Sequence, residues 1–212
     1  MENIELPPSN RMSWYKQYSK MLFTGDTNAK FAAFIDKATE RAFATNDPTR
    51  FWTRTELAKK NTRNWLFELS LYGDLFVEKV IIPNEKSVFH VQSLQADTMY
   101  RIETTTGRLL EFQQSKDGPD YKSLVTDSVG TALRFHPTLI THFRMDINPR
   151  EPYGYKGSVM RTNPELWEPL CMDRLLNEFF ENVHLAWGIE KQEPVWGKMG
   201  EWVPYKQHEL CS

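Results

Sequence analysis

His142, Arg144 and Asp146 alternate along the stretch TLITHFRMDI. Side chains alternate between the two faces of a strand, so on a strand all three point one way. An imidazole, a guanidinium and a carboxylate on one face can do acid–base chemistry, or they can form a salt-bridged polar face. No Ser or Cys in a strained turn accompanies them. DSVGT at Asp127–Thr131 lacks the flanking pair of glycines that a nucleophile elbow requires. The polar face is the better-supported reading, and no catalytic residue is assigned.

The remaining histidines, His90, His136, His184 and His208, form neither an HxxxH nor an HExxH pair, and Cys171 lies far from Cys211. Metal-ligand spacing is therefore missing, and no metal or cofactor is expected. No GxxxxGK[ST] occurs, nor a GxGxxG after a strand, so nucleotide hydrolysis and dinucleotide binding have no motif to rest on. Positive charge concentrates between Arg134 and Arg161, in RFHP, HFR, NPREP and YGYKGSVMR. Arg134, His142, Arg144, Arg150 and Lys156 are the candidates to face phosphate or an acidic partner. Lys59, Lys60 and Arg63 form a weaker stripe that reads as a solvated helix face.

The elements that must position these residues are legible as periods. AKFAAFIDKATERAFA places Phe31, Phe34, Ile35, Ala38 and Ala42 at helical spacing. A second helix starts at the capping box Thr53–Glu56 and runs through Leu57, Trp65, Leu66 and Leu69. Gly73 can supply its left-handed C-terminal residue. Tyr72, Gly73 and Asp74 then form a structural corner into the strand LFVEKVII. SVFHVQSL reads as a strand, TMYRIETTTGRLLEFQQ as a hairpin turning at Thr105–Gly107, and TLITHFRMDI as a further strand. A third helix begins near Asn163-Pro164 and is interrupted or restarted at Pro169. Beyond it Met172, Leu175, Leu176, Phe179, Phe180, Val183 and Trp187 form an apolar stripe. A stripe that wide is buried against a partner or against the body. Leu175, Phe179, Phe180, Val183 and Trp187 are taken as a candidate interface.

At 212 residues, and at roughly 100–200 residues per domain, the chain is one large domain or two small ones. The hydrophobic share of 40 % and seven Trp are enough for a sizeable core and argue against disorder throughout. A formal net charge of −2 gives no global attraction for phosphate. Two cysteines fit a reducing compartment rather than a disulfide-stapled fold. No run approaches the roughly 18 apolar residues of a membrane span. MENIELPPSN has no basic n-region or apolar h-region, so the chain reads as soluble and intracellular. The fold expected is α+β, with helices flanking a mostly antiparallel sheet and a long helix near the C-terminus. The divisions expected are an N-terminal extension at 1–28, in which WYKQY docks on the body, a body at 29–160, a helix at 161–187 and an irregular tail at 188–212.

The order of segments resembles the portal proteins of tailed bacteriophages. A helix passes through LYGDLFVEKVII into strands, and SLQADTMYRI fits the turn that sets the family's next strand. ITHFR at Ile140–Arg144 and PYGYKGS at Pro152–Ser158 then precede a helix. The resemblance covers roughly residues 50–185. It implies a wing-like α+β body from Asn61 to about Tyr155 and a helix after Asn163 leading toward a stem. It further implies a non-enzymatic virion subunit, present in the host cytoplasm during assembly. Such subunits form a ring at one capsid vertex through which double-stranded DNA passes without sequence specificity. Terminase, capsid and neck proteins are the partners implied, and no membrane. A complete portal continues through a clip and a second stem helix, so the expectation is a whole, split or truncated portal working as a homo-oligomer or with a companion chain. The alternative is a portal-derived interaction or inhibitor protein that binds capsid, portal or terminase components.

Overall fold

The structure, a computed structural model, describes residues 4–5, 11–44, 56–82, 87–117, 119, 132–145 and 152–187. The fold is α+β. Its helices span Arg11–Leu22 (α1), Thr27–Ala44 (α2), Glu56–Tyr72 (α3) and Met172–Trp187 (α4). Its strands are Ile4–Glu5 (β1), Asp74–Ile82 (β2), Ser87–Leu94 (β3), Met99–Thr104 (β4), Leu109–Gln114 (β5), Leu133–Phe135 (β6) and Ile140–Arg144 (β7). They make two antiparallel sheets, in the orders β3-β2-β7 and β1-β4-β5-β6, where the sequence suggests one.

Strand alternation decides what each face of the β3-β2-β7 sheet meets. Asp74 pairs with Arg144 and Phe76 with His142 across β2 and β7, so these four share a face. That face looks onto the other sheet: Phe76 meets Phe112 of β5 edge-on at 5.9 Å between ring centroids. Leu75, Val77 and Phe143 alternate onto the opposite face, where Phe143 stacks on Phe179 of α4 at 5.8 Å. The body is therefore layered, helices on sheet on sheet, and His142 and Arg144 lie in an inner layer. The polar face expected of His142 and Arg144 thus turns toward the second sheet.

Each helix buries one stripe. Arg11, Tyr15, Tyr18 and Leu22 recur at helical spacing on α1 and are all buried. The segment read as an N-terminal extension thus contributes a full helix to the core from Arg11 on. LPPSN, like Thr53 and Thr55 of the capping box, lies outside the described residues. On α2 the buried set is Phe31, Phe34, Ile35, Ala38 and Ala42, the stripe seen in the sequence. The hairpin turns where expected: Gly107 has φ +81 and its N–H donates to Thr104 O at 2.9 Å.

Two regions differ from expectation. TLITHFRMDI is not strand throughout, because His136-Pro137 starts a short 3₁₀ turn over Pro137–Leu139 and pairing begins at Ile140. The third helix does begin at Asn163, whose side chain accepts from Glu165 N, but as a 3₁₀ turn at Pro164–Leu166. A π-helical turn follows at Trp167–Cys171 and holds Pro169, which has no N–H to give to a regular α ladder. Regular helix resumes only at Met172. Trp167 in that turn plugs into α2 between Phe31 and Phe34, with centroids at 5.4 and 5.9 Å. Lys30–Glu165, Lys37–Glu168 and Arg41–Asp173 pair along the surface above it. These pairs are exposed, so they fix alignment more than stability.

The apolar stripe of α4 folds back on its own chain. Leu175 and Phe179 are 0 % exposed and Phe180 is 5 % exposed within the single chain. They belong to its core, which corrects the interface expectation for these three residues. The side chains of Val183 and Trp187 lie outside the described residues. Phe179→Ala is expected to lower unfolding free energy by about 3–5 kcal/mol, the usual cost of truncating a buried aromatic. Denaturant unfolding with hydrogen exchange over residues 60–145 measures it. A helix serving only a subunit interface would leave that protection unchanged.

Candidate functional site

The geometry of a C-terminal helix cap builds the first part of the site.

 That geometry is the left-handed cap common to many helices. Gly73, at φ +73, ends α3 and its N–H donates to Leu69 O at 2.8 Å. Ser158 completes the cap from a distant loop. Its hydroxyl donates to Leu71 O at 2.7 Å, lies 3.2 Å from Ser70 O, and accepts from Met160 N at 3.1 Å. Carbonyls that the helix leaves unpaired at its end are thus satisfied by the PYGYKGS segment.

Two glycines make this docking close enough. A Cβ on Gly73 would meet Gly154 O at 2.1 Å, and one on Gly154 would meet Gly73 O at 2.2 Å and Met145 N and O at 2.7 Å. Gly154 has φ −93, which any residue can adopt, so space alone requires glycine there. Met145 N donates to Gly73 O at 2.8 Å in the same contact. The end of α3, the exit of β7 and the Tyr153-Gly154 loop therefore meet backbone to backbone.

Asp74 is the polar centre and is 0 % exposed. One carboxylate oxygen, Oδ2, accepts from Tyr15 Oη at 2.6 Å. The other, Oδ1, accepts from Gly154 N at 2.7 Å and from His142 Nε2 at 2.7 Å. Burial lowers the His142 pKa to about 4, against the opposing pull of Asp74. The imidazole is therefore neutral, and its contact with Asp74 is a hydrogen bond rather than an ion pair. Its ring stacks on Phe76 at 4.0 Å, and Nδ1 has no hydrogen-bond partner. Burial first, and the Asp74 charge second, push Tyr15 well above the ordinary tyrosine range, so it stays a donor.

Arg11 supplies the positive charge nearby. Its Nη2 donates to Met99 O at 2.8 Å, and its guanidinium lies over the rings of Tyr153, Tyr100 and Tyr15 at 4.0, 5.1 and 5.3 Å. Burial opposes that charge, but the three tyrosines and Asp74 outweigh it and raise the pKa. Tyr153 Oη also accepts from Arg101 N at 2.7 Å.

The structure brings Tyr72, Gly73, Asp74, His142 and Arg144 together and leaves Arg134 and Lys156 apart. Tyr72 sits at the rim, its hydroxyl 3.2 Å from Ser19 Oγ. Arg134 pairs with Glu111, with Nη2 at 2.7 Å from Oε2, and so is not a free phosphate ligand. Arg144 is half-buried beside Arg101, and burial lowers its pKa. Lys156 is exposed, over the Tyr155 ring at 5.8 Å. Arg150 lies outside the described residues, as does Asp146. Arg11, Tyr15, Tyr153, Gly154 and Ser158 are site residues that the sequence reading missed. The repeated Tyr-Gly at 72–73 and 153–154 is the one signal that pointed to the glycine contact. Among the described residues, no three His, Cys, Asp or Glu side chains converge as a metal site requires.

An Asp–His–Tyr chain of hydrogen bonds can relay a proton only if a substrate reaches it. Here every member is buried among aromatic rings and backbone. What the arrangement does is hold four segments, α1, the α3–β2 corner, β7 and the Tyr153–Ser158 loop, in one register.

Two outcomes follow. Gly154→Ala is expected to cost about 3 kcal/mol or more, since backbone rather than a flexible side chain must move. Gly107→Ala, whose Cβ would meet nothing within 4 Å, is expected to cost about 1–2 kcal/mol from its positive φ alone. Urea midpoints of the two variants compare them, and equal losses would deny the close contact. The second outcome is a pH dependence with two opposed groups. His142 has a folded pKa of about 4 against 6.5 when free, so its contribution is complete above pH 6.5 and is lost as pH falls toward 4. Glu68 has the opposite sign: burial raises it from 4.5 to about 7, so its contribution is complete below pH 4.5 and is lost as pH rises through 7. Between pH 6.5 and 4.5 the two nearly cancel. Glu68→Gln is expected to uncover a loss approaching 1.4 kcal/mol per pH unit over that window. A flat profile in this variant would mean that His142 is not held neutral.

No protein-family model matches the chain, and no curated protein sequence matches it. Among solved structures, a chain from the virion of a native gene transfer agent (GTA) particle is similar, at 14 % identity and a TM-score of 0.47, over 99 % of this chain and 55 % of that one. A chain from the neck of an empty GTA particle is similar at 14 % identity and a TM-score of 0.48, over 99 % of this chain and 56 % of that one. The chain thus spans about half the length of these particle chains.

Proposed function

We propose that the chain is a non-enzymatic assembly subunit of a phage-type particle, forming the wing-like α+β body of a portal at the head-to-tail vertex. One observation carries the reading. Three of the four stretches on which the portal resemblance rests meet in one buried cluster: Tyr72–Asp74 and, well downstream of it, Ile140–Arg144 and Pro152–Ser158. Motifs that serve catalysis converge on an accessible cleft; motifs that serve a scaffold converge on a packing contact. The polar groups here that could do acid–base work are held inside such a contact. As a portal body the chain acts in the virion, and in the host cytoplasm during assembly. It works in a ring of its own copies or with a companion chain carrying the rest of the subunit. Terminase, capsid and neck proteins are its other partners, and double-stranded DNA passes through the channel without base readout.

A second reading draws on the fold-back of α4. Leu175, Phe179 and Phe180 are consumed inside the chain and cannot also serve a neighbouring subunit. A self-contained body of this kind also suits a portal-derived protein that binds or inhibits portal, capsid or terminase components. Among the described residues, no helix is long and apolar enough to cross a membrane.

Native mass measurement separates these readings, on the purified chain alone and after co-expression with the proteins encoded beside it. A ring, or a stable complex with a companion that completes the subunit, is the expected result. A monomer that binds packaging proteins without joining a ring would favour the second reading. A monomer that captures none of them would overturn both. The same preparations are expected to show no ATP turnover, and turnover abolished by substituting one of the chain's own residues would sink the non-enzymatic reading.

A further inference from the structure

The turn Tyr155–Gly157 has three successive carbonyls, each taken by a side chain from a different element. Tyr18 of α1 donates to Tyr155 O at 2.9 Å. Arg161 Nη1 donates to Lys156 O at 2.6 Å. Arg174 Nη2, from the first turn of α4, donates to Gly157 O at 3.0 Å. Neighbouring carbonyls gather the two guanidiniums beside Lys156 on a single turn. Arg161 also lies over the half-buried Trp14 ring, 5.6 Å from its centroid, and Trp14 packs against Tyr18 at 5.8 Å.

A carbonyl orients a guanidinium without neutralising it. Arg134, Arg63 and Arg41 are each paired with a carboxylate. Among the described residues, Arg161 and Arg174 are held by backbone oxygen instead. Each keeps further N–H donors in a planar fork whose direction is already set, and that fork matches a carboxylate in bidentate fashion. Trp and Arg together are the residue types enriched where protein interfaces concentrate their binding energy.

We propose that Trp14, Arg161 and Arg174 form a docking surface for a protein partner that presents paired carboxylates. The inference deepens the assembly reading and rests on it for taking the partner to be a protein. Two observations disfavour duplex nucleic acid as the occupant. The chain's formal net charge is −2, and the cluster is far smaller than the roughly 6–10 phosphate contacts that drive strong duplex binding.

The test titrates the whole chain, at physiological ionic strength, with a short Glu-rich peptide, its Gln-rich counterpart and a short DNA duplex. Backbone amide shifts over Tyr155–Arg161 and Trp14 fluorescence report binding. The Glu-rich peptide is expected to bind at this turn and the Gln-rich one not. Arg161→Glu should weaken binding about tenfold or more, the scale of a charge-assisted hydrogen-bond pair. Because Arg174 also braces the turn, Arg174→Lys is the companion variant: it keeps the charge, loses the fork, and should weaken binding while thermal unfolding stays near wild type. Binding of the duplex in preference to the peptide, or of neither, would overturn the proposal. So would peptide binding that Arg161→Glu leaves unchanged. Peptide binding lost in both variants, in a chain whose native mass shows no assembly, would uphold the docking surface and remove the assembly reading instead.

Discussion

The fold depends on keeping a charged carboxylate out of water. Asp74 is wholly buried, and an isolated carboxylate there would cost far more than a small domain can spare. Three donors offset that cost, and none is near it in sequence: the Tyr15 hydroxyl, the Gly154 amide and the His142 imidazole. Each donor fixes its own segment. Tyr15 sets the rotation of α1, His142 sets the register of β7 against β2, and Gly154 sets the depth to which the Tyr153–Ser158 loop enters. A slip of β7 by one residue would turn His142 away from Asp74 and expose Phe143's partner face as well. Removing one donor therefore does more than delete a hydrogen bond, because it leaves the carboxylate partly unpaired.

The charge balance around Asp74 explains why the rings are where they are. His142 is neutral, so it cannot compensate the carboxylate. Arg11 does so at longer range, through Tyr15, and is itself stabilised by three tyrosine faces rather than by a direct ion pair. This spreads the positive charge over polarizable surface between the two sheets. It also explains a buried Arg at the start of a helix otherwise packed by aromatic residues. One of its nitrogens, Nη1, has no partner, which marks Arg11 as held by its rings more than by hydrogen bonds.

Periodic features were legible in the sequence, and features made by distant segments were not. The α2 stripe, the β2 and β3 strands, the β4–β5 hairpin and the Gly73 corner each depend on residues within one turn, one strand or one strand pair, where spacing carries the information. The α1 helix was missed because its buried stripe is Arg, Tyr, Tyr and Leu, and three of those four residues read as polar or mixed. The strand face of His142 and Arg144 was read correctly as a shared face, but a single strand cannot say whether that face meets water or a second sheet. β6, three residues long, is too short to show a period. The α4 stripe was clear, yet its partner was not, since an apolar stripe is the same whether its own chain or another covers it. The loop of Pro152–Ser158 was flagged only by resemblance. Its work, capping α3 and donating to Asp74, lies about 80 residues away in the chain.

This division of labour bears on where function can reside. Most of the interior polar groups are committed to one another: Asp74 to Tyr15, His142 and Gly154, and Ser158 to the end of α3. The loop that closes that contact faces inward with Tyr153, Gly154 and Ser158 and outward with Lys156 and Arg161. Its inner side is rigid because backbone meets backbone there. Its outer side is built on the same turn, so the guanidiniums of Arg161 and Arg174 are oriented by carbonyls of a segment that is itself docked. A subunit that must meet others in a fixed geometry benefits from such an arrangement, because little conformational freedom remains to be lost on contact. Burying Asp74 thus has a consequence at the surface: the same loop that satisfies the carboxylate presents the cations.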